Sequence, residues 1–597
     1  MRRIRFERWM LLGLVLLAGS PLAAQTLVPD EDYLRRLKAS ETIQPVGDSP
    51  FGEQVNLYTG DLTFRQMDVL LEGNGPPIRL VRDLASRQSS DVRLRLRPNA
   101  MGDWTLSIPR IETLINYPRG GLGNTSPGYN WTTSSATNPT RHQRCTQFRR
   151  PQYYGTLDDP ESAWFGMDLV SEDGGRQQLL RRATANTQYP LMNGPNGQSM
   201  VFTGVTLQDW HIGCLPETSN GEVGEAYLAA STNGMKYWLN YLVGEPAETM
   251  TKPDPNGSGV NLRQDRQIGV MYATRVEDRF GNWVDYTYSG NRIASISASD
   301  GRAVSITWRT DVPVVQQITV MPGTSQARSW QYQYDILDAP HMEGGKDARL
   351  TAVVLPDGSR WQFQLAGLGG LPVTNAMTPF CSTRNIAHPG GNMVSTVTHP
   401  SGLVGKFTVS GIFHGRSYVP SSCTPVTDRE TIPGLFGNFA LVRKEFSGPG
   451  IATNAWSYAY SPAVSSAARD ACATSQTCAN TKWVAVTDPD GNLTRYTFSN
   501  RWGESEGELL KEEQYQGTAT LLRTEQNTYA TATHGPYPSL VGEVLSGYAS
   551  NIAKQQTWHP LKARATTQQG TVFTYSVNAF DIRARPTSVT KSSAPSP

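Results

Sequence analysis

The chain has 597 residues, 38% of them hydrophobic and 18% charged, with a formal net charge of +2. That length exceeds one ordinary domain, and the near-neutral charge gives a nucleic-acid partner no electrostatic support. With 55 Gly and 39 Pro, long helices are expected to be rare and turns abundant.

At the N-terminus Arg2, Arg3, Arg5 and Arg8 precede the apolar run from Trp9 to Ala18, and Leu22-Ala23-Ala24 closes it with small residues. This is the pattern of a secretory signal peptide over residues 1–24, too short to span a bilayer comfortably. It predicts export, to the periplasm, the cell surface or the medium. Cleavage after Ala24 removes four Arg and one Glu, leaving 50 basic against 51 acidic residues and a net charge of −1. No later apolar stretch is long enough to cross a membrane.

Residues 25–45 read as a short helix and linker. Asp30, Glu31 and Asp32 lie in the first turn and Arg35, Arg36 and Lys38 follow, matching the helix dipole, while Tyr33, Leu34 and Leu37 share one face. From 46 to 259 short strands alternate with Gly/Pro turns, beginning with Phe51-Gly52-Glu53 to Asp61 and Met67 to Arg82. Residues 118–140 are nearly all turn formers and read as an exposed loop. Pro253, Pro255, Gly257 and Gly259 mark a boundary before the region 260–597.

That second region repeats one pattern. Asp278-Arg-Phe-Gly281-Asn282 leads into Trp283, Tyr286 and Tyr288, and Asp300-Gly301 leads into Val304, Ile306 and Trp308. Trp330, Tyr332 and Tyr334 alternate with Gln, as do Trp361, Phe363 and Leu365 after Asp357-Gly358. Trp456, Tyr458 and Tyr460, then Tyr496 and Phe498 after Asp490-Gly491, then Phe573 and Tyr575 after Gly570, continue it. A period of two puts each aromatic set on one strand face, expected to pack toward a core. The Asp-Gly pairs supply the positive φ of tight hairpins. Gly281, Gly301, Gly358, Gly402, Gly491 and Gly570 are 20, 57, 44, 89 and 79 residues apart, rough multiples of a 20–22-residue unit of two strands and two turns.

These residues resemble the tyrosine–aspartate (YD) repeats of the bacterial RHS family. The best copies are Asp278 to Trp308, Leu355-Pro-Asp357-Gly358-Ser-Arg360-Trp361 and Val486-Thr-Asp488-Pro-Asp490-Gly491-Asn492 to Tyr496, with Phe580-Asp581 to Thr590 resembling the repeat ending. The stretch from Phe51 to Arg82 resembles the region that precedes such repeats. The resemblance covers roughly residues 46–590 and implies an all-β fold. The implied form is a large antiparallel sheet spiralling into a shell, or part of one, behind the short N-terminal helix. In that family the shell commonly encloses a C-terminal toxin or ligand domain. Here the family's core junction is not recognisable, and the chain ends in Lys591-Ser-Ser-Ala-Pro-Ser-Pro597 directly after a repeat.

A search for chemistry finds no GxSxG elbow, HExxH pair, P-loop or dinucleotide fingerprint. His142, His211, His341, His388, His399, His414, His534 and His559 are scattered. Asp158-Asp159-Pro160-Glu161 lacks the spacing of a calcium loop and reads as solvated. No catalytic residue, metal site or cofactor is therefore expected. Six cysteines in an exported chain favour disulfides. Cys472 with Cys478 is a local pair, and Cys145 with Cys214 and Cys381 with Cys423 are the economical remainder among 15 connectivities. The expected function is a non-enzymatic scaffold or shell segment that encloses or presents a protein partner, as a split part or remnant of a polymorphic toxin system. A surface adhesin binding carbohydrate through exposed aromatic rings is the alternative.

Overall fold

The computed structural model describes residues 49–85, 99–117, 143–148, 166–182, 192–193, 199–200, 202–253, 261–338, 346–365, 368, 391–418, 435–464, 480–503, 505–543 and 557–596. The signal peptide expected at 1–24, the helix expected at 30–40, the loop expected at 118–140, the acidic run at 158–161, and Cys381, Cys423, Cys472 and Cys478 lie outside them. Almost every element within them is an antiparallel strand.

Three substructures share the chain. The first is a five-stranded N-terminal sheet of Glu53–Val55, Leu62–Leu71, Ile78–Ala85, Trp104–Ser107 and Ala100–Met101, paired in that order. Its middle strand alternates Ile78, Leu80, Arg82 and Leu84 on one face, all fully buried.

The second is a small ring. Arg110–Tyr117, Met167–Val170, Arg176–Arg182, Phe202–Val205, His211–Leu215, Ala226–Ala230, Lys236–Pro253 and Asn261–Glu277 pair in succession, and the last pairs back to the first. Its interior is filled by Ile111, Met167, Leu169, Leu179, Ile212, Tyr227, Leu239 and Met271, all buried. Tyr227 Oη reaches Met167 Sδ across the ring at 3.3 Å and Arg144 O at 3.1 Å. Segment 143–148 is tied to the ring wall by a Cys145–Cys214 disulfide.

The third is a long wall. Lys236–Pro253 and Asn261–Glu277 form one hairpin, so the Pro/Gly-rich stretch near 254–260 separates two strands that pair with each other. The edge of Asn261–Glu277 that holds the ring closed at 265–272 passes to Trp283–Ser289 at 275–277. From there consecutive strands add on through Thr520–Tyr529 to Pro586–Pro595. The wall also returns to the ring, where Gly542–Glu543 pairs with Arg181 and Arg182 and Arg583 meets Asp209 at 3.1 Å.

One five-residue turn organises wall and ring alike. The first residue donates its N–H to the fifth carbonyl, and the fourth donates back to the first, at 171–175, 206–210, 231–235, 278–282, 298–302, 355–359, 399–403, 488–492 and 581–585. This is a three-residue hairpin loop ending in a left-handed residue, so one positive φ is needed rather than two. Gly281 fills that place at φ 87°, with nothing within 4 Å of where a Cβ would stand, so backbone conformation alone selects glycine there. Asp209 at φ 64° and Ala584 at φ 57° hold the same position without glycine. Where the first residue is Asp, its carboxylate caps the loop: Asp278 accepts from the backbone of Phe280 and Asn282 at 2.8 and 3.0 Å, and Asp581 from Arg583 and Arg585 at 2.8 and 2.9 Å.

The aromatic alternation is buried over most of the wall, as at Tyr286, Trp330, Tyr332, Trp361, Phe363, Tyr458, Tyr496 and Phe498, with Trp456 half-buried. The last set departs from the expected core packing: Phe573 is 49% exposed and Tyr575 half-buried. The contacts described below explain why.

Candidate functional site

The inward face of the wall is covered by the chain's own N-terminal sheet. Contacts between them run along the wall from Asn282 to Glu506. Beyond it Glu525 and Asn527 are buried and Val577 and Phe580 pack with Tyr537, while Phe573 is 49% exposed and Pro586–Pro595 is exposed along its length.

Near the beginning of the N-terminal sheet the Phe51 ring enters a slot over Gly405, between Phe407 and Phe446 at centroid distances of 5.9 and 5.2 Å. A Cβ on Gly405 would stand 2.5 Å from Phe51 Cε2, so the missing side chain makes the slot. Glu53 follows, fully buried, its Oε1 3.2 Å from Lys444 Nζ and its Oε2 accepting from Phe51 N at 3.1 Å. The Lys444 ammonium sits over the rings of Phe446 and Trp456 at 4.8 and 4.7 Å. Burial pushes the Glu53 carboxyl above its ordinary range, and the attraction of Lys444 only partly opposes it.

Loop 56–61 is the most densely bonded part. Tyr58 packs edge-on against Phe498, and its hydroxyl donates to Glu506 Oε1 at 3.1 Å. Glu506 is held bidentately by Arg416 at 2.8 and 2.7 Å, with side-chain exposures of 3% and 1%. Lys482 Nζ donates to Tyr58 O and to His414 Nδ1, and His414 Nε2 lies 2.9 Å from Thr59 O. Leu441 N donates to Gly60 O at 2.9 Å, and a Cβ on Gly60 would meet Ala440 and Tyr460.

Further along, Arg82 is fully buried between the rings of Trp104 and Phe363, 4.6 and 4.8 Å from their centroids, with Nε on Asp68 at 2.9 Å. Tyr332 Oη donates to the same Asp68 at 2.8 Å. At the far end Arg302 of the wall donates to Leu71 O and Pro76 O, and Asn74 N donates to Asp300 at 3.0 Å. Asn99 and Asp103 accept from Ile293 N and Leu350 N at 3.0 and 2.8 Å, so side chains of the N-terminal sheet engage wall backbone directly.

The repeat-turn residues do not converge. Asp278 with Gly281, Asp300 with Gly301, Asp357 with Gly358, and Asp490 with Gly491 occupy successive hairpin tips, and only the Asp278–Asn282 and Asp300–Arg302 tips touch the N-terminal sheet. Hydrogen bonds from the Ser359 side chain and backbone hold the Asp357 carboxyl below its usual range, and the Arg302 side chain does the same for Asp300. Among the described residues no group of three or more His, Cys, Asp or Glu side chains is placed to hold a metal, and no helix is long and apolar enough to cross a membrane.

Sequence reasoning passed over the buried cations Arg82, Lys444 and Lys482. A signal existed: Arg82 falls in phase with Ile78, Leu80 and Leu84, and Lys482 with Val484 and Val486. A charge in the apolar phase of a strand marks a place where a specific partner must arrive from elsewhere. Gly405, Arg416 and Glu506 carry no such local mark.

No family model matches the sequence, and no curated protein matches it. Among solved structures the chain aligns with one described as the crystal structure of TcdB2-TccC3-Cdc42, at 8% identity and a TM-score of 0.28, over 90% of this chain and 36% of that one. The chain thus spans about a third of that protein's length, at a score too low to establish a shared fold.

Proposed function

We propose that this chain is an exported, non-enzymatic scaffold of the RHS type, whose β-wall encloses or presents a partner polypeptide. One observation carries the reading: the inward wall face already holds a polypeptide sheet. It does so with a glycine slot for Phe51, the Phe363 ring under the buried Arg82, and hydrogen bonds between the backbone of each and side chains of the other. Those are the means by which a sheet face grips a chain of fixed register. The recurring five-residue turn supports the repeat resemblance, and the Cys145–Cys214 disulfide is compatible with an oxidising compartment. The partner's place is the exposed part of the wall beyond residue 506, around Leu521 and Phe573, each about half exposed.

The test is site-specific photocrosslinking in the producing cell. A crosslinker at Phe573 is compared with one at Phe280, an exposed turn tip. The scaffold reading expects one defined polypeptide captured at Phe573 alone, which then binds the purified chain saturably and loses binding when Phe573 becomes Asp. Glycan binding by the purified chain without a polypeptide partner would favour the adhesin. Fractionation, with an intact mass beginning at Gln25, checks export.

A further inference from the structure

We propose that loop 56–61 is an acid-opened latch, in which Lys482 and His414 hold the N-terminal sheet on the wall and release it as protons are taken up. This rests on the contact between sheet and wall, whatever the wall encloses. The loop joins the first two strands of the N-terminal sheet, Glu53–Val55 and Leu62–Leu71. Its grip on the wall is polar and dry.

The proton positions follow from the partners. Thr59 O can only accept, so His414 Nε2 carries the hydrogen between them. Lys482 Nζ, 2.7 Å away, then donates to Nδ1, which fixes His414 as a neutral imidazole while the loop is docked. Other groups face this pair as well. Tyr58 presents its ring 4.2 Å from Lys482 Nζ and its carbonyl, and Asp61 accepts from Thr59 Oγ1 at 2.9 Å. Glu506 is engaged by Arg416 and Tyr58, and Tyr460 stands edge-on to His414 at 5.8 Å. Glu506 and Asp61 thus hold other partners as well.

Burial pushes the Lys482 ammonium down from 10.5 to about 7, with Glu506 and Asp61 opposing the shift. The sign is as follows. Between those values an open loop binds a proton that the docked loop lacks, so opening is favoured as pH falls. Below about 7 Lys482 is charged in both states and contributes no further slope. Each proton taken up on opening shifts the equilibrium by about tenfold per pH unit.

Hydrogen exchange of the full mature chain, corrected for intrinsic exchange rates, measures the opening of 56–61 between about pH 9 and pH 5.5. The expected result is an opening constant that rises about tenfold per unit as pH falls to about 7 and then levels. Lys482→Met should flatten that rise, while Lys444→Met, at the separate Glu53 contact, should leave it intact. An opening constant in the unaltered chain that does not change with pH overturns the proposal, whether or not the variants fold. So does a Lys482→Met chain that folds and keeps the rise.

Discussion

The Gly405 slot gives the sharpest test of how wall and N-terminal sheet fit. A Cβ at Gly405 would stand 2.5 and 2.7 Å from two atoms of the Phe51 ring and 2.9 Å from Phe407 Cε2, well inside contact distance. Phe51 is fully buried, with Phe407 and Phe446 on either side, so the ring has no adjacent space to enter. Gly405→Ala should therefore carry an overpacking cost of about 1–3 kcal/mol. The lower chain entropy of alanine returns about 0.5–1 kcal/mol of that. Phe51→Ala alone should cost about 3–5 kcal/mol, the usual range for emptying a core phenylalanine site. Once the ring is gone the obstruction is gone, and Phe407 can relax into the space. In a Phe51→Ala chain, Gly405→Ala should then stabilise by about 0.5–1 kcal/mol. The two substitutions should thus couple, with a reversal of sign. The assay is native-state hydrogen exchange of the strand Leu62–Leu71, which reports opening of the N-terminal sheet in place and does not require two-state unfolding of so long a chain. If Gly405→Ala has the same sign and size in both backgrounds, within about 0.5 kcal/mol, the slot is not what seats Phe51.

Other expectations follow from the same geometry. Gly491→Ala, at φ 83° in open space, should cost about 1 kcal/mol in exchange of its own hairpin. Glu506→Gln leaves Arg416 buried without its counter-charge and should cost about 3–5 kcal/mol, read as protease access to 49–85. Reducing Cys145–Cys214, which closes a separation of 69 residues, should cost the ring about 4 kcal/mol, read as exchange in Ala226–Ala230. The lowered carboxyl groups of Asp300 and Asp357 give stability that is present above about pH 4 and lost as pH falls through their depressed folded values. Acid should therefore loosen the 298–302 and 355–359 tips, and Asp357→Asn should weaken that response at its own tip, followed by NMR or exchange.

The sequence by itself determined what is local. Period-two alternation reports which side chains share a strand face, because successive residues point to opposite sides whatever the strand packs against. A glycine after Asp reports a turn, because the left-handed backbone it favours is set within a few bonds. The all-β class, and hairpin turns such as those at 278–282 and 298–302, were therefore legible in the sequence. Even so, the turn at 206–210 went unseen, because Asp209 fills the glycine position there. Burial was read less well. Phe573 and Tyr575 have the same alternation as Trp361 and Phe363, yet Phe573 is half exposed and Tyr575 half-buried while the other pair is sealed. The difference lies outside both segments: Trp104 and Arg82 cover Phe363, and the N-terminal sheet's contacts end at Glu506. Which face of the wall is dry, why Gly405 lacks a side chain, and why Lys482 can be buried are answered by Phe51 and loop 56–61, hundreds of residues away. Neighbours in sequence carry no trace of such contacts, since a strand's pattern records its own two faces and not the surface that comes to lie on them. Only the tertiary structure decided that the wall's aromatic face is occupied by the chain's own beginning.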